Sequence, residues 1–361
     1  MSKTMYSPFQ IGNLTIANRL AASAMFEYGA ENGRISDKIR ERYEELSKGG
    51  AGLIITGMQA VRKAGSVAPI MVNTEYAGYV QDMREMAAAV HAHGAKLIVQ
   101  LQHCGAKTSQ AEGYDKFSVS EVKVSGTCIF HEASREELEK LVQDYVRAAL
   151  RCKEAGADGV QIHAAHGFLL NSFLSPITNK RTDEYGGRIE NRARLVFEIY
   201  EAARAAAGKD YVIGIKFPFS DLKENSIQPE ESLWVCKELA KRGMDFIEIS
   251  SGMAGDDFSP VLRKNQQAPF LPYAAKVAEE VSVSVISVCG YRTPEAIEEA
   301  LAKTKIAAVS FGRPLVCEPD LPLRWKTDPS PAKCVSCNGC FKSASDGIIT
   351  CQVNKVKKKS L

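Results

Sequence analysis

The chain has 361 residues, 45% hydrophobic, 25% charged and 8% aromatic, the composition of a soluble globular enzyme and not of a disordered or collagen-like chain. Its 46 Lys and Arg against 43 Asp and Glu leave a formal net charge of +3, too small a bias to imply a nucleic-acid surface. No apolar run nears the roughly 18 residues a membrane helix needs, and the opening MSKTMYSPFQIG has no leader pattern, so a cytoplasmic protein with no membrane partner is expected.

The first expected element is a hairpin over residues 9–18, with Gly12 and Asn13 between apolar pairs, placed to plug a barrel floor. After it, strands are predicted at 19–24, 52–56, 96–101, 159–163, 211–217, 246–250, 284–288 and 307–311. Helices are predicted between them at 37–48, 75–93, 135–155, 188–207, 229–242, 269–280 and 294–302. Gly49, Gly50, Gly94, Gly156 and Gly243 read as C-caps, and Pro229, Pro269 and Pro294 suit first helical turns, where a missing N–H is harmless. Eight βα units with nearly continuous apolar strands predict a parallel TIM (β/α)8 barrel, because strands buried on both faces do not alternate. An open doubly wound sheet is the rival, ranked lower because no G-x-G-x-x-G follows the first strand.

Pro329, Ser330 and Pro331 read as a linker, dividing a barrel of residues 1–328 from a short Cys-rich extension of residues 329–361. The tail lysines Lys355, Lys357, Lys358 and Lys359 read as a solvated terminus. Six of the ten cysteines are scattered without a spacing rule and read as reduced thiols. The other four fall between Cys334 and Cys351.

In such barrels catalytic groups stand where strands end and βα loops begin. His163 and His166, at the fourth strand's exit, admit three readings: two donors converging on one oxyanion, metal ligands, or structural histidines. Gly290 and Arg292 after strand seven, with Gly312 and Arg313 after strand eight, offer backbone N–H groups and guanidinium forks for a phosphate. Lys216, at the fifth strand's end, would suit an anionic cofactor.

The stretch HAAHGFLLNSFLSPITNKRTDEYGGRIENRAR resembles the Old Yellow Enzyme family of flavin mononucleotide (FMN) ene-reductases and NADH:flavin oxidoreductases. ASAMFEY, GGAGLIITG, QLQHCG, IGIKF and FGRPL extend the resemblance over about residues 6–325. It implies that Ser23, Ala24, Met25 and Ala60 line the flavin ring, that Gln100 reads its pyrimidine edge, and that Lys216 sets positive charge by N1 and O2. It implies a phosphate cradle at Gly290, Gly312 and Arg313, and a carbonyl-gripping pair at His163 and His166. Tyr28 matches a tyrosine at the substrate face in one branch. Two positions depart from the pattern: Phe168 replaces the usual proton-donating tyrosine, and Cys289 replaces the first glycine of the phosphate loop, where a backbone donor is expected to persist.

Cys334, Cys337 and Cys340 on one tight loop, then ten residues and Cys351, favour a cuboidal cluster over zinc, since two separated C-x2-C knuckles are not present. The pattern is similar to the motif after the barrel in trimethylamine dehydrogenase and 2,4-dienoyl-CoA reductase. It implies a [4Fe–4S] cluster; those relatives continue into nucleotide-binding domains while this sequence stops at Leu361, so electron exchange with a separate redox partner protein, or a structural cluster, is expected.

The resulting expectation is an FMN-dependent oxidoreductase acting on a small-molecule substrate, an activated C=C bond conjugated to a carbonyl, with NAD(P)H as co-substrate. A homo-oligomer is expected, and no nucleic-acid partner. The rivals are a flavin dehydrogenase or demethylase of a small amine or alcohol, a zinc-dependent barrel enzyme, and an RNA-binding flavoprotein.

Overall fold

The computed structural model describes residues 3–252 and 267–359. Strands β1 (Phe9–Ile11) and β2 (Leu14–Ile16) form the expected antiparallel hairpin, with Phe9 opposite Ile16. The barrel strands follow as β3 (Leu20–Ala22), β4 (Leu53–Ile55), β5 (Lys96–Gln102), β6 (Gly159–His163), β7 (Val212–Pro218), β8 (Phe246–Ser250), β9 (Ser284–Val288) and β10 (Ala308–Phe311). Each pairs parallel with the next, and β10 pairs with β3, so eight strands close into the predicted ring.

The floor is sealed from below. Phe9, Ile11 and Ile16 pack against Leu53, Ile98, Val212, Phe246, Ile286 and Ala308, which stand at or near the N-terminal ends of their strands. Each such fully buried aliphatic or aromatic side chain contributes about 1.5–3 kcal/mol. Gly214 leaves room for one of them: a Cβ there would meet the Phe246 ring at 2.0 Å.

Helices α1 (Asp37–Lys48), α2 (Tyr79–His91), α3 (Arg135–Glu154), α4 (Arg194–Ala207), α5 (Pro229–Lys241), α6 (Leu271–Glu280) and α7 (Pro294–Lys303) form the outer layer. Their starts are chemically marked. Ser36 accepts from Ile39 N–H, Ser134 and Glu137 form a capping box, and Thr293 accepts from Ala296 N–H ahead of Pro294. Each such cap is worth about 1 kcal/mol.

Three expectations need correction. The helix expected over 188–207 is two pieces meeting at Ala193, whose ψ of −9° ends the short segment Ile189–Arg192 before α4 begins. The proline in the first turn of α6 is Pro272, not Pro269, since the helix begins at Leu271. The loop after β5 carries a small three-stranded sheet, Phe117–Ser118, Val122–Val124 and Thr127–Glu132, which short mixed segments did not announce.

The segment 329–331 is held rather than loose: Arg324 Nη1 donates to Ser330 Oγ at 2.7 Å and Trp325 Nε1 to Ser330 O at 3.0 Å. Beyond it, a 3-10 segment (Gly339–Asp346) and helix α8 (Gln352–Lys359) fold back over the barrel mouth. Ile349 N–H donates to Glu27 O, and Asn354 Nδ2 to Cys317 O. Lys355 is paired with Asp346 and not simply solvated. The side chains of Lys357, Lys358 and Lys359 lie outside the described residues. Among the described residues no helix is long and apolar enough to cross a membrane.

Candidate active site

A cavity of about 540 Å³ opens at the C-terminal ends of the strands. Ser23, Ala24, Met25, Tyr28, Gln100, His163, His166, Lys216, Gly290, Gly312 and Arg313 all border it, joined by Phe168 and Cys289. Ala60 and Arg292 are the exceptions among the sequence-predicted positions: Arg292 turns to the extension, its Nη1 3.5 Å from Cys334 O. Ala60 is buried with Met71 and Cys104, and Met58 holds the wall nearby.

His163 ends β6, and His166 follows in the loop with φ of +65°, a turn that brings both rings to one wall, 5.0 Å apart and edge to face. Ala165 N–H donates to His163 Nδ1 at 3.3 Å, which leaves the His163 proton on Nε2. His166 Nε2 lies 2.8 Å from Ser250 Oγ. Burial holds both imidazoles well below their ordinary pKa, and Lys216 and Lys107 push the same way. Both rings are therefore neutral near pH 7, able to donate hydrogen bonds without carrying charge. Among the described residues no third His, Cys, Asp or Glu joins His163 and His166 to hold a metal ion.

Lys216 is 3% exposed and stands on β7 opposite Glu248 of β8. Its Nζ lies 3.2 Å from Glu248 Oε2 and donates to Ser23 Oγ at 3.0 Å. Glu248 also accepts from Ser23 Oγ at 3.0 Å, Ser310 Oγ at 2.5 Å and Gln161 Nε2 at 3.0 Å. Burial alone would raise this carboxyl; Lys216 and the hydrogen bonds outweigh it and hold it below its usual range. Gln161 in turn accepts from Gln100 Nε2 at 2.7 Å. Neither Glu248 nor Gln161 was singled out from sequence. The available signal was a polar residue at the centre of an apolar strand, in FIEIS and GVQIH.

The phosphate corner differs from expectation. Cys289 has a left-handed backbone, φ +85°, and its N–H donates to Ser310 O at 3.2 Å, so this donor is already spent. The Cys289 thiol is pushed up by burial, with Arg313 opposing. Arg313 Nη1 donates to Asn338 Oδ1 at 2.7 Å, tying this corner to the extension.

Tyr28, φ +59°, packs its ring 4.5 Å from Phe26 and donates its hydroxyl to Phe341 O at 3.1 Å. Its proton is thus directed at a backbone carbonyl. Phe168 stands 5.4 Å from the His163 ring, with Lys107 Nζ 4.6 Å over its face.

Cys334, Cys337, Cys340 and Cys351 line a second, small cavity with Val316, Val335 and Val353 for apolar wall, and Arg313 and Asn338 border both cavities. Burial lifts the Cys340 thiol to about 11, with Cys334 adding to it. A fifth thiol, Cys317, was read as scattered but lies beside Cys351: burial and a hydrogen bond with that thiol raise it to about 12.

The family model described as NADH:flavin oxidoreductase / NADH oxidase matches residues 4–329. The chain is 33% identical to an NADH oxidase of Thermoanaerobacter brockii over 93% of its own length and 53% of the relative's. It therefore spans about half the length of that relative. It is 31% identical to an NADPH dehydrogenase of Geobacillus sp. strain WCH70, covering 89% of this chain and 93% of the relative. A solved 2-naphthoyl-CoA reductase, in complex with 2-naphthoyl-CoA, superimposes with a TM-score of 0.88 at 25% identity, over 98% of this chain and 57% of that one. The chain belongs to the NADH:flavin oxidoreductase / NADH oxidase family.

Proposed function

We propose that this member of the NADH:flavin oxidoreductase / NADH oxidase family is an FMN-dependent oxidoreductase that uses NAD(P)H to reduce an activated C=C bond conjugated to a carbonyl. The observation that carries the reading is the convergence on one cavity of two neutral imidazoles, a reading amide and a buried ammonium. The residues fit FMN. Gln100, its Nε2 donating to Gln161, offers its amide oxygen to the pyrimidine edge, Lys216 a cation where the reduced ring concentrates charge, and Gly290, Gly312 and Arg313 a corner for the phosphate. FMN held there supplies hydride exchange between the nicotinamide and the substrate.

The chain's own groups do the rest. His163, donating from Nε2, and His166 beside it grip the substrate's carbonyl oxygen. As that oxygen gains charge in the transition state, the two donors stabilise it without prior reorganisation. Met25, Met58 and Phe168 form the apolar wall. Phe168 offers no proton, and the Tyr28 hydroxyl faces Phe341 O, so water is the proton source on this reading. Burial, with Lys216 and Lys107 assisting, keeps the imidazoles neutral, so the pair offers no anionic partner to a protonated amine, which favours ene reduction over amine oxidation.

In the extension, the four thiols fit a [4Fe–4S] cluster held by Cys334, Cys337, Cys340 and Cys351. All four border one small cavity whose apolar wall is Val316, Val335 and Val353, and three thiols on one tight loop with a fourth from a later turn suit a cuboidal cluster. The cluster would exchange electrons with a separate redox partner protein.

The test is an absorption spectrum of anaerobically purified protein, with iron, zinc and sulfide assayed, followed by NADPH-driven reduction of a cyclic enone. Flavin bands over a broad brown absorbance are expected. His163→Asn should lower enone turnover by about 10²–10³ while FMN is retained. A colourless protein, or an unaffected variant, overturns the assignment.

A further inference from the structure

Beneath the cavity floor lies a chain of buried polar groups whose direction is fixed at one end. An ionised carboxylate only accepts hydrogen bonds. Glu248, fully buried, therefore requires Gln161 to present its NH2, as it does at 3.0 Å. That leaves Gln161 Oε1 to accept, and Gln100 meets it with Nε2 at 2.7 Å. Strand register enforces the sequence, since Gln161 lies opposite Gln100 on β5. Gln100 Oε1 is then the atom left for the cavity. The second arm obeys the same rule. Ser23 turns its O–H to Glu248 and so keeps its lone pairs for Lys216 Nζ at 3.0 Å. Glu248 also lies 3.2 Å from that ammonium, so the cavity floor presents a compensated cation and not a bare one.

We propose that Glu248 is a positioning residue of the flavin site. It sets which atom Gln100 offers the pyrimidine edge, and it tempers the Lys216 charge so that reduced flavin is held less tightly than a lone lysine would hold it. The inference rests on the FMN reading above and deepens it. Electrostatics give the sign: a reduced flavin carries negative charge toward N1 and O2, so every fraction of the Lys216 charge offset by Glu248 weakens binding of the reduced form relative to the oxidised form.

The experiment compares the FMN-loaded wild type with Glu248→Gln and Gln161→Leu, measuring midpoint potential by anaerobic dye titration and the Kd for oxidised FMN by flavin fluorescence. In Glu248→Gln the cation is uncompensated and the relay loses its fixed end. The ratio of reduced to oxidised FMN affinity is expected to rise at least about tenfold, which for a two-electron couple is a positive shift of about 30 mV. Gln161→Leu cuts the Gln100 arm and one hydrogen bond on Glu248 but leaves the Glu248–Lys216 pair, and should weaken oxidised FMN binding several-fold with a shift in potential well below that of Glu248→Gln. A potential unchanged in Glu248→Gln overturns the charge role. FMN binding unchanged in Gln161→Leu overturns the relay, and this second variant keeps that half decidable if Glu248→Gln does not fold. A wild-type chain that takes up no FMN defeats the reading of the cavity itself, an outcome distinct from either.

Discussion

Around Lys216 every polar partner comes from a barrel strand or its immediate end: Ser23, Glu248 and, through Glu248, Gln161 and Ser310. Around Cys351 the neighbours come from a cysteine loop, the end of a short helix at Cys317, and a surface helix. The first region satisfies its own charges with fixed partners. The second gathers thiols that repel one another once ionised, and the left-handed residues Ser336 and Asn338 shape its loop. The difference teaches that the Lys216 corner is satisfied by strand partners, while on the cluster reading the four thiols would need a positive centre to stay together once deprotonated.

Removing one thiol tests that contrast most severely. Cys351→Ser is expected to abolish iron and sulfide content, while FMN stays bound, because the cavity borders the extension only at residues such as Asn338 and Phe341. Metal analysis and the flavin spectrum of one sample decide it, and joint loss of iron and FMN would mean that the two regions form as a unit.

The pH dependence of stability sharpens the comparison on the barrel side. His163 and His166 are held neutral in the folded protein, with pKa values well below 6.5, and regain ordinary basicity on unfolding. The unfolded chain therefore binds more protons as pH falls through 6.5, so stability is full above that value and declines below it. One such histidine corresponds to about 1.4 kcal/mol per pH unit below 6.5. Denaturant titrations from pH 7 to pH 5 should show a shallower decline in His163→Asn than in wild type, and parallel curves would contradict it.

The smallest expected effect concerns strain at the border. Cys289 holds a left-handed backbone suited to glycine, at a cost of about 1–2 kcal/mol. Cys289→Gly should raise the thermal midpoint by a few degrees, offset in part by the chain entropy of glycine. An unchanged or lower midpoint would mean that the thiol's contact with Arg313 matters more than the strain.

Most of the architecture was legible in the sequence, because a parallel barrel writes itself as apolar strands of about five residues alternating with amphipathic helices. The strands at 159–163, 246–250 and 284–288 have their predicted bounds. The small sheet after β5 was not legible, since its short strands lack a periodic apolar face. The candidate site was legible where a motif carried it, and eleven of the twelve barrel positions implied by the family resemblance border the cavity. Ala60 shows the limit: a resemblance places a residue near a ring, but only packing decides whether it or Met58 reaches the wall.

The sequence by itself determined the eight-unit barrel, the floor hairpin, the histidine pair and the four-thiol spacing, because each depends on local periodicity or on residues a few positions apart. Only the tertiary structure decided that Glu248 sits under Lys216, that Cys289 spends its N–H on Ser310, and that Cys317 lies beside Cys351. Those contacts bridge residues 32, 21 and 34 positions apart or belong to neighbouring strands whose register is set by closure of the ring. Pairing across that ring depends on the shear of the whole barrel, which no single segment encodes.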